Sequence, residues 1–327
     1  MSVQKFQMKT LRMIHEAYQQ AVEKSSNLLE IANNLYDILN QVELDDEEDV
    51  EAFETFLDGM RGCIGTRQRT FEITNFSIYI IITMMYIILW LNSTRTMHID
   101  IKLKARCKAL ESELTKLLKK SNGTLSANIR DRFGIKAIVQ NELPETEVEQ
   151  IIYKIFECIS GILAAKNRKM RKEFADWVAN NKNILLPDKE VIKCVLNTPF
   201  GIDFIKDYIK EPKENGYRAY QFTMSIQMYS EVLAGCLFEI QLKSRQMEEE
   251  AEHGKASHDV YKMTGGLSEE ELSEVDKYIN KVFCVDDFSK VHIIGFSGYE
   301  SKDEDINGIH NAKEYTERRV STTLIPQ

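Results

Sequence analysis

The sequence predicts an α+β protein: a mixed β-sheet flanked by helices, preceded by a mostly helical N-terminal extension. Three observations predict it. Alternating runs at His98–Lys104 and Gly134–Val139 are interleaved with stretches of helical periodicity. The turn-forming run Pro212-Lys-Glu-Asn-Gly216 opens a hairpin, one strand near 218–228 and the other over Gly235–Lys243. Leu11, Ile14, Tyr18 and Val22 recur at three- and four-residue steps, as in the rest of the first 70 residues.

In chain order, an acidic break at Glu43–Asp49 separates two helical stretches and reads as a solvated loop. Its carboxylates lack the spacing and central glycine of a calcium loop. The strand at His98–Lys104 leads into a lysine-rich helix, Lys108–Lys120, ended by Ser121-Asn-Gly123. After the strand at Gly134–Val139, a long helix is expected from Glu145, just past Pro144, towards Ala179. Charged helices follow over Arg245–Tyr261 and Ser268–Val282. The remaining tail reads as irregular except for the apolar patch Val291–Phe296. The expected division is 1–95, a helical extension; 96–265, a catalytic domain; and 266–327, a helix and tail.

A net charge of −9 argues against a general nucleic-acid coat but leaves room for a local basic patch. The six cysteines (Cys63, Cys107, Cys158, Cys194, Cys236, Cys284) form no Cys-x-x-Cys pair. They read as reduced thiols of a cytoplasmic protein, and zinc is not expected. The segment 73–94 carries no charge and has the length to cross a bilayer. Such a helix either spans a membrane, giving a membrane-associated protein, or lies buried against the sheet.

Four segments share one chemical theme. Arg106 and Lys108 sit where a strand passes into a helix, and Lys108, Ser112, Lys116 and Lys119 or Lys120 recur at steps of three to four residues on one face. Such a row of cations suits a triphosphate, and equally a solvated helix face. Asp131 precedes a strand and is placed to hold Mg²⁺. Glu239 interrupts the apolar strand Leu237–Leu242, where an unpaired carboxylate is costly, so it faces a cleft and binds a metal or accepts a proton. Alternation places Gln241 and Lys243 on its face. Tyr217, behind Lys213, Asn215 and Gly216, offers an aromatic face beside Lys210, Lys213 and Arg218. Together these groups describe metal-dependent phosphoryl transfer.

In this order the motifs resemble the synthetase domain of the RelA/SpoT family. They are Arg106-x-Lys108-x-x-x-Ser112-x-x-x-Lys116, Asp131-x-x-Gly134, Pro212-Lys-Glu-Asn-Gly-Tyr217-Arg218, Glu239-Ile-Gln241 and Ala251-Glu-His-Gly-x-Ala-x-His258-x-x-Tyr261-Lys262. The resemblance spans about residues 98–262. It implies a nucleotidyltransferase-like sheet and transfer of pyrophosphate from ATP to the ribose 3′-hydroxyl of GDP or GTP, giving (p)ppGpp. By position, Arg106, Lys108, Ser112, Lys116 and Lys136 would bind ATP, and Asp131 and Glu239 would hold Mg²⁺ and serve catalysis. Tyr217, Asn215, Lys213, Gln241 and Lys243 would bind the acceptor; His253 and His258 fall on the helix after the Glu239 strand, and His258 reads as structural.

The chain departs from the family pattern at Lys136, usually an arginine that packs on adenine. It departs again at Ala219-Tyr-Gln221, for the usual Ser-Leu-His, and at Leu242-Lys-Ser244, for Ile-Arg-Thr. The family's hydrolase signature is not seen, His15 being the one histidine before residue 95. The expectation is a small, single-activity alarmone synthetase. Two rivals stand beside it: a relative that pyrophosphorylates the 3′ end of tRNA, using the cationic run Lys166–Lys172, and a non-catalytic nucleotide-binding or membrane interaction module. Homo-oligomerisation is compatible with each.

Overall fold

The computed structural model describes the chain apart from residues 1–5, 69, 95–97, 109, 121–128, 130, 228–235, 254–269, 284–292, 295–308, 311–315 and 321–327. In chain order the helices are α1 (Met8–Glu23), α2 (Leu28–Leu39), α3 (Glu47–Gln68), α4 (Thr70–Thr94), α5 (Leu110–Lys120), α6 (Glu145–Ile162), α7 (Arg168–Asn180), α8 (Leu186–Asn197), α9 (Arg245–His253) and α10 (Glu274–Phe283). The strands are β1 (Ile101–Cys107), β2 (Phe133–Val139), β3 (Phe200–Asp207), β4 (Tyr220–Ile226), β5 (Leu237–Ser244), β6 (Ile293–Ile294), β7 (Ile309–His310) and β8 (Thr316–Val320). The α+β class and mixed sheet follow the sequence expectation. The chain divides into two units assembled from separate stretches: 1–71, 108–129 and 258–314 in one, 72–107, 130–257 and 315–327 in the other. The linear division at 95 and 265 does not follow these units, because α4 belongs almost wholly with the sheet.

The first unit is helical and includes the short β6–β7 ladder. Leu11, Ile14, Leu35, Phe56, Met60, Leu114, Leu117 and Ile279 pack into one core. The Asn27 side chain caps α2 by accepting from Leu29 N and Glu30 N, while Glu30 reaches back to Ser26 N at 2.8 Å. The acidic break at 43–49 is not wholly a solvated loop, since residues 47–49 open α3. Asp49 is buried, accepting from Gln7 N at 3.2 Å and from the Thr10 hydroxyl. It thereby satisfies a donor that the start of α1 leaves unpaired.

The second unit is built on a six-stranded sheet of order β3-β4-β5-β2-β1-β8. The β2–β5 pair is parallel and all other neighbours are antiparallel. Alternation gives the sheet one apolar face. Leu103, Ala105, Phe133, Ile135, Ala137, Phe222, Met224, Phe238 and Ile240 lie in a single core with α4, α6 and α7. Within it α4 is the centrepiece: Ile80, Ile87 and Leu91 are fully buried, and Phe76 meets Phe200 and Phe238 at ring-centroid distances of 6.1 and 6.3 Å. The apolar segment is therefore a core helix of the sheet, with 67% of its membrane-like window buried.

The single long helix expected over 145–179 is instead two. α6 stops at Ile162, Ala165 takes a left-handed φ of 53°, and Asn167 restarts α7 by accepting from Met170 N at 3.0 Å. Arg171 then donates to the carbonyls of Ile162, at 2.7 Å, and of Leu163 and Leu196, tying the ends of α6 and α8 together. Close approach fixes the reversal, since a Cβ on Gly161 would stand 2.9 Å from Met170 Sδ. The strand β3 was not anticipated. Residues 203–206 are exposed, Phe204 has φ 50°, and the register slips between Asp203 and Lys206, so the segment shows no alternation. Nor was β8, from the stretch read as irregular tail, which pairs with β1. Of the helices expected over 245–261 and 268–282, residues 254–261 and 268–269 lie outside the described residues, as does the turn at 121–123.

Replacing Ile87 by Ala should destabilise the protein by about 2–5 kcal/mol in urea unfolding, through loss of packing beneath the sheet. Leu185→Ala, at a largely exposed position, should stay within about 0.5 kcal/mol.

Candidate active site

The second face of the sheet is polar, and register decides what it carries. Glu239 lies opposite Gly134 on β2 and Thr223 on β4; Gln241 lies opposite Lys136 and Gln221; Lys243 lies opposite Ile138. Glu239, Gln241, Lys243, Lys136 and Gln221 therefore share one face. The Glu239 carboxylate is held by two amides, Gln241 Nε2 on one oxygen at 2.6 Å and Gln221 Nε2 on the other at 2.5 Å. The sequence reading missed Gln221 as a partner of Glu239, although strand alternation from Ala219 already pointed it to this face. A carboxylate offers about four acceptor positions, so two remain for a metal or a substrate proton.

Tyr217 closes the turn between β3 and β4. Gly216 N donates to Lys213 O at 2.8 Å, Lys213 N to Tyr217 O at 3.1 Å, and Gly216 adopts φ 81°, which favours glycine. The Asn215 side chain accepts from Tyr217 N at 3.1 Å, so it shapes the turn from within. Around the Tyr217 ring stand Lys213 Nζ and Lys243 Nζ, each 4.7 Å from its centroid, and the Tyr208 ring at 5.8 Å in a T-shaped contact. The other two cations credited to this loop are directed elsewhere. Arg218 pairs with Glu149 and Glu145 on α6, and Lys210 with Asp207 at 3.5 Å.

Glu248, which the sequence reading did not single out, organises the lysines. Ser244 caps α9, its hydroxyl accepting from Met247 N at 3.0 Å and donating to Glu145 at 2.7 Å, and this places Glu248 in the first turn of the helix. There Glu248 accepts Lys136 Nζ at 2.7 Å on one oxygen and Lys243 Nζ at 3.0 Å on the other. Glu252 stands 3.8 Å from Lys136. Burial alone would push the Glu248 carboxyl up, but Lys243 and Lys136 hold it down, to about 2. Lys136 and Lys243, expected to face ATP and acceptor, thus both engage a protein carboxylate, and the Lys243 side chain is only 2% exposed.

The remaining predicted residues lie on other elements. Asp131 is half-buried in the turn that opens β2, and Arg106 on β1 lies opposite Gly134. Lys108, just before α5, and Ser112 and Lys116 on it belong to the helical unit and are half-buried. Glu111 and Glu113 anchor α5. Glu113 accepts from the Cys63 thiol at 2.6 Å and pairs with Arg67 at 3.4 Å, and Tyr18 donates to Glu111 at 2.9 Å. Burial and the Glu111 carboxylate push the Tyr18 phenol up. His253 is exposed at the end of α9, and His258 lies outside the described residues. No group of three or more His, Cys, Asp or Glu side chains able to hold a metal occurs among the described residues. Mg²⁺ does not require one, since it is commonly held by one or two carboxylates with phosphates and water.

Residues 189–266 match the family model described as the region found in RelA/SpoT proteins. That stretch is similar to the region found in RelA/SpoT proteins. It runs from α8 through β3, the Tyr217 turn, β4 and β5 into α9, so it contains Lys213, Asn215, Tyr217, Gln221, Glu239, Gln241, Lys243 and Glu248. A probable chloroplastic GTP diphosphokinase of Arabidopsis thaliana is 41% identical over 64 residues, which are 20% of this chain and 10% of that protein. The chain therefore matches about a tenth of the length of this curated relative. Among solved structures, small alarmone synthetase 1 of Bacillus subtilis bound to its product pppGpp is 19% identical, with a TM-score of 0.34, over 60% of this chain and 79% of that one. Small alarmone synthetase 2 of the same organism is 19% identical, with a TM-score of 0.31, over 55% and 72%. Arg106, Lys108, Ser112, Lys116, Asp131 and Lys136 precede the RelA/SpoT region.

Glu248→Ala should leave the buried Lys243 ammonium without its carboxylate and lower stability by about 3–5 kcal/mol at pH 7. Because the folded value is held below the ordinary 4.5, the stabilisation is complete above about pH 4.5 and is lost as pH falls towards 2. Urea unfolding of both proteins at pH 7 and pH 3 should show the gap narrowing at the lower pH.

Proposed function

We propose that this chain is a pyrophosphokinase that transfers the β,γ-pyrophosphate of ATP to the ribose 3′-hydroxyl of GDP or GTP. One observation carries the reading: the RelA/SpoT region brings an aromatic ring flanked by ammonium groups, and an amide-held carboxylate, onto the polar face of one sheet. Tyr217 offers a stacking surface for the acceptor base, and the half-buried Lys213 adds positive charge for its phosphates. Glu239, fixed by Gln221 and Gln241, orients the 3′-hydroxyl and accepts its proton as oxygen attacks the β-phosphorus of ATP. The new bond is O3′–Pβ, the bond to the α-phosphate oxygen breaks, and AMP leaves. Arg106, Lys108, Ser112 and Lys116 are assigned to ATP on the motif resemblance. Asp131 and Glu239 would hold Mg²⁺, which neutralises charge on the transferred phosphates when bound.

The tRNA reading loses part of its basis. Within Lys166–Lys172, Arg171 is bound to three carbonyls and Lys169 pairs with Glu173 at 3.9 Å.

Incubation with γ-labelled ATP, Mg²⁺ and GDP, GTP, ATP or deacylated tRNA should move label onto the guanosine nucleotides. Label on tRNA alone, or on no acceptor, would overturn the proposal. Asp131→Ala and Glu239→Ala should reduce transfer to background. Gln221→Leu, which frees one Glu239 oxygen from its amide, should lower kcat by about 10–100-fold while ATP binding measured by calorimetry stays near that of wild type.

A further inference from the structure

We propose that Lys243 and Glu248 are positioning residues: Glu248 holds the Lys243 ammonium against the Tyr217 ring and so sets the ring's orientation for the acceptor base, with neither charged group touching the substrate. The proposal rests on the reading of Tyr217 as the acceptor platform and replaces a direct role for Lys243 in binding.

The geometry carries it. Lys243 ends in the sheet-buried interior, 2% exposed, with its ammonium 3.0 Å from Glu248 and 4.7 Å from the Tyr217 centroid. An ammonium so enclosed has little access to a ligand, whereas Lys213, the other cation over the ring, is half-exposed. Desolvation strengthens attraction between a cation and a ring, so the enclosed lysine is the stronger of the two holds. Glu248 is itself fixed, by the Ser244 cap that starts α9 and by Lys136 on its second oxygen. The chain of contacts from the capped helix through carboxylate and ammonium to the ring leaves Tyr217 little rotational freedom. A pre-oriented platform loses less entropy when a base stacks on it.

Steady-state kinetics of the full chain and a substrate-free unfolding cycle together decide the matter. Lys243→Met should raise KM for the guanosine acceptor about tenfold, equivalent to about 1.4 kcal/mol, with kcat and the KM for ATP changed less than about twofold. Lys243→Arg should restore most of the loss, and Glu248→Gln should resemble Lys243→Met on acceptor KM. In a Tyr217→Leu background Lys243→Met should add nothing further. An undiminished effect there would mean that Lys243 contacts the acceptor directly, and an unchanged KM in the single variant would mean that it does not act at all; either result overturns the proposal. Without substrate, the loss of thermal stability from Lys243→Met should be smaller in the Tyr217→Leu background than in wild type, and strict additivity would refute the contact. If the wild-type protein transfers no pyrophosphate, the functional reading and the positioning role fall together, while the unfolding cycle still judges the contact itself.

Discussion

Parallel pairing of β2 with β5 is the constraint on which the polar site depends. Its register sets Gly134 against Glu239, Lys136 against Gln241 and Ile138 against Lys243. Because side chains alternate along a strand, a slip of one residue would drive Glu239 into the core now filled by Phe238 and Ile240. That core is anchored by α4, whose buried isoleucines cover the sheet's apolar face. The apolar helix and the placement of the Glu239 carboxylate are thus two consequences of one arrangement. A face covered by hydrocarbon fixes the register, and the fixed register turns every second residue of β5 toward polar chemistry.

On that polar face, burial dictates how charges must be partnered. Glu248 is 5% exposed and would be costly alone, as would Lys243 beside it. Bringing them together with Lys136 leaves each carboxylate oxygen with one ammonium. Glu239 is treated differently: its oxygens are held by neutral amides, which orient a carboxylate without neutralising it. A group meant to accept a proton or hold a cation needs its charge, and amides leave it intact.

The sheet and its polar stripe were legible because strand alternation is local: Glu239, Gln241 and Lys243 could be placed on one face from spacing alone. The Tyr217 turn was legible for the same reason, in the run from Pro212 to Gly216. What escaped was set by contacts distant in sequence. The break between α6 and α7 has no proline to announce it and only Gly161 near it; a left-handed Ala165 and an Asn167 cap make it, and Arg171 holds it. β3 is an edge strand with an exposed, irregular stretch, so it carries no periodic signal. Glu248 sits in the charged run Glu248-Glu-Glu250, where only the fold distinguishes the buried carboxylate from its exposed neighbour Glu249.

The departures from the family pattern at Lys136 and Lys243 become related once Glu248 is considered. In the sequence they are two independent exchanges of arginine for lysine, 107 positions apart by their numbering. In the sheet they lie on neighbouring strands and converge on one carboxylate, at 2.7 and 3.0 Å. A guanidinium presents a planar fork that matches both oxygens of a carboxylate at once, so two of them would compete for a single partner. Two ammoniums are point charges and can take one oxygen each. The two lysines can therefore share Glu248, one on each oxygen.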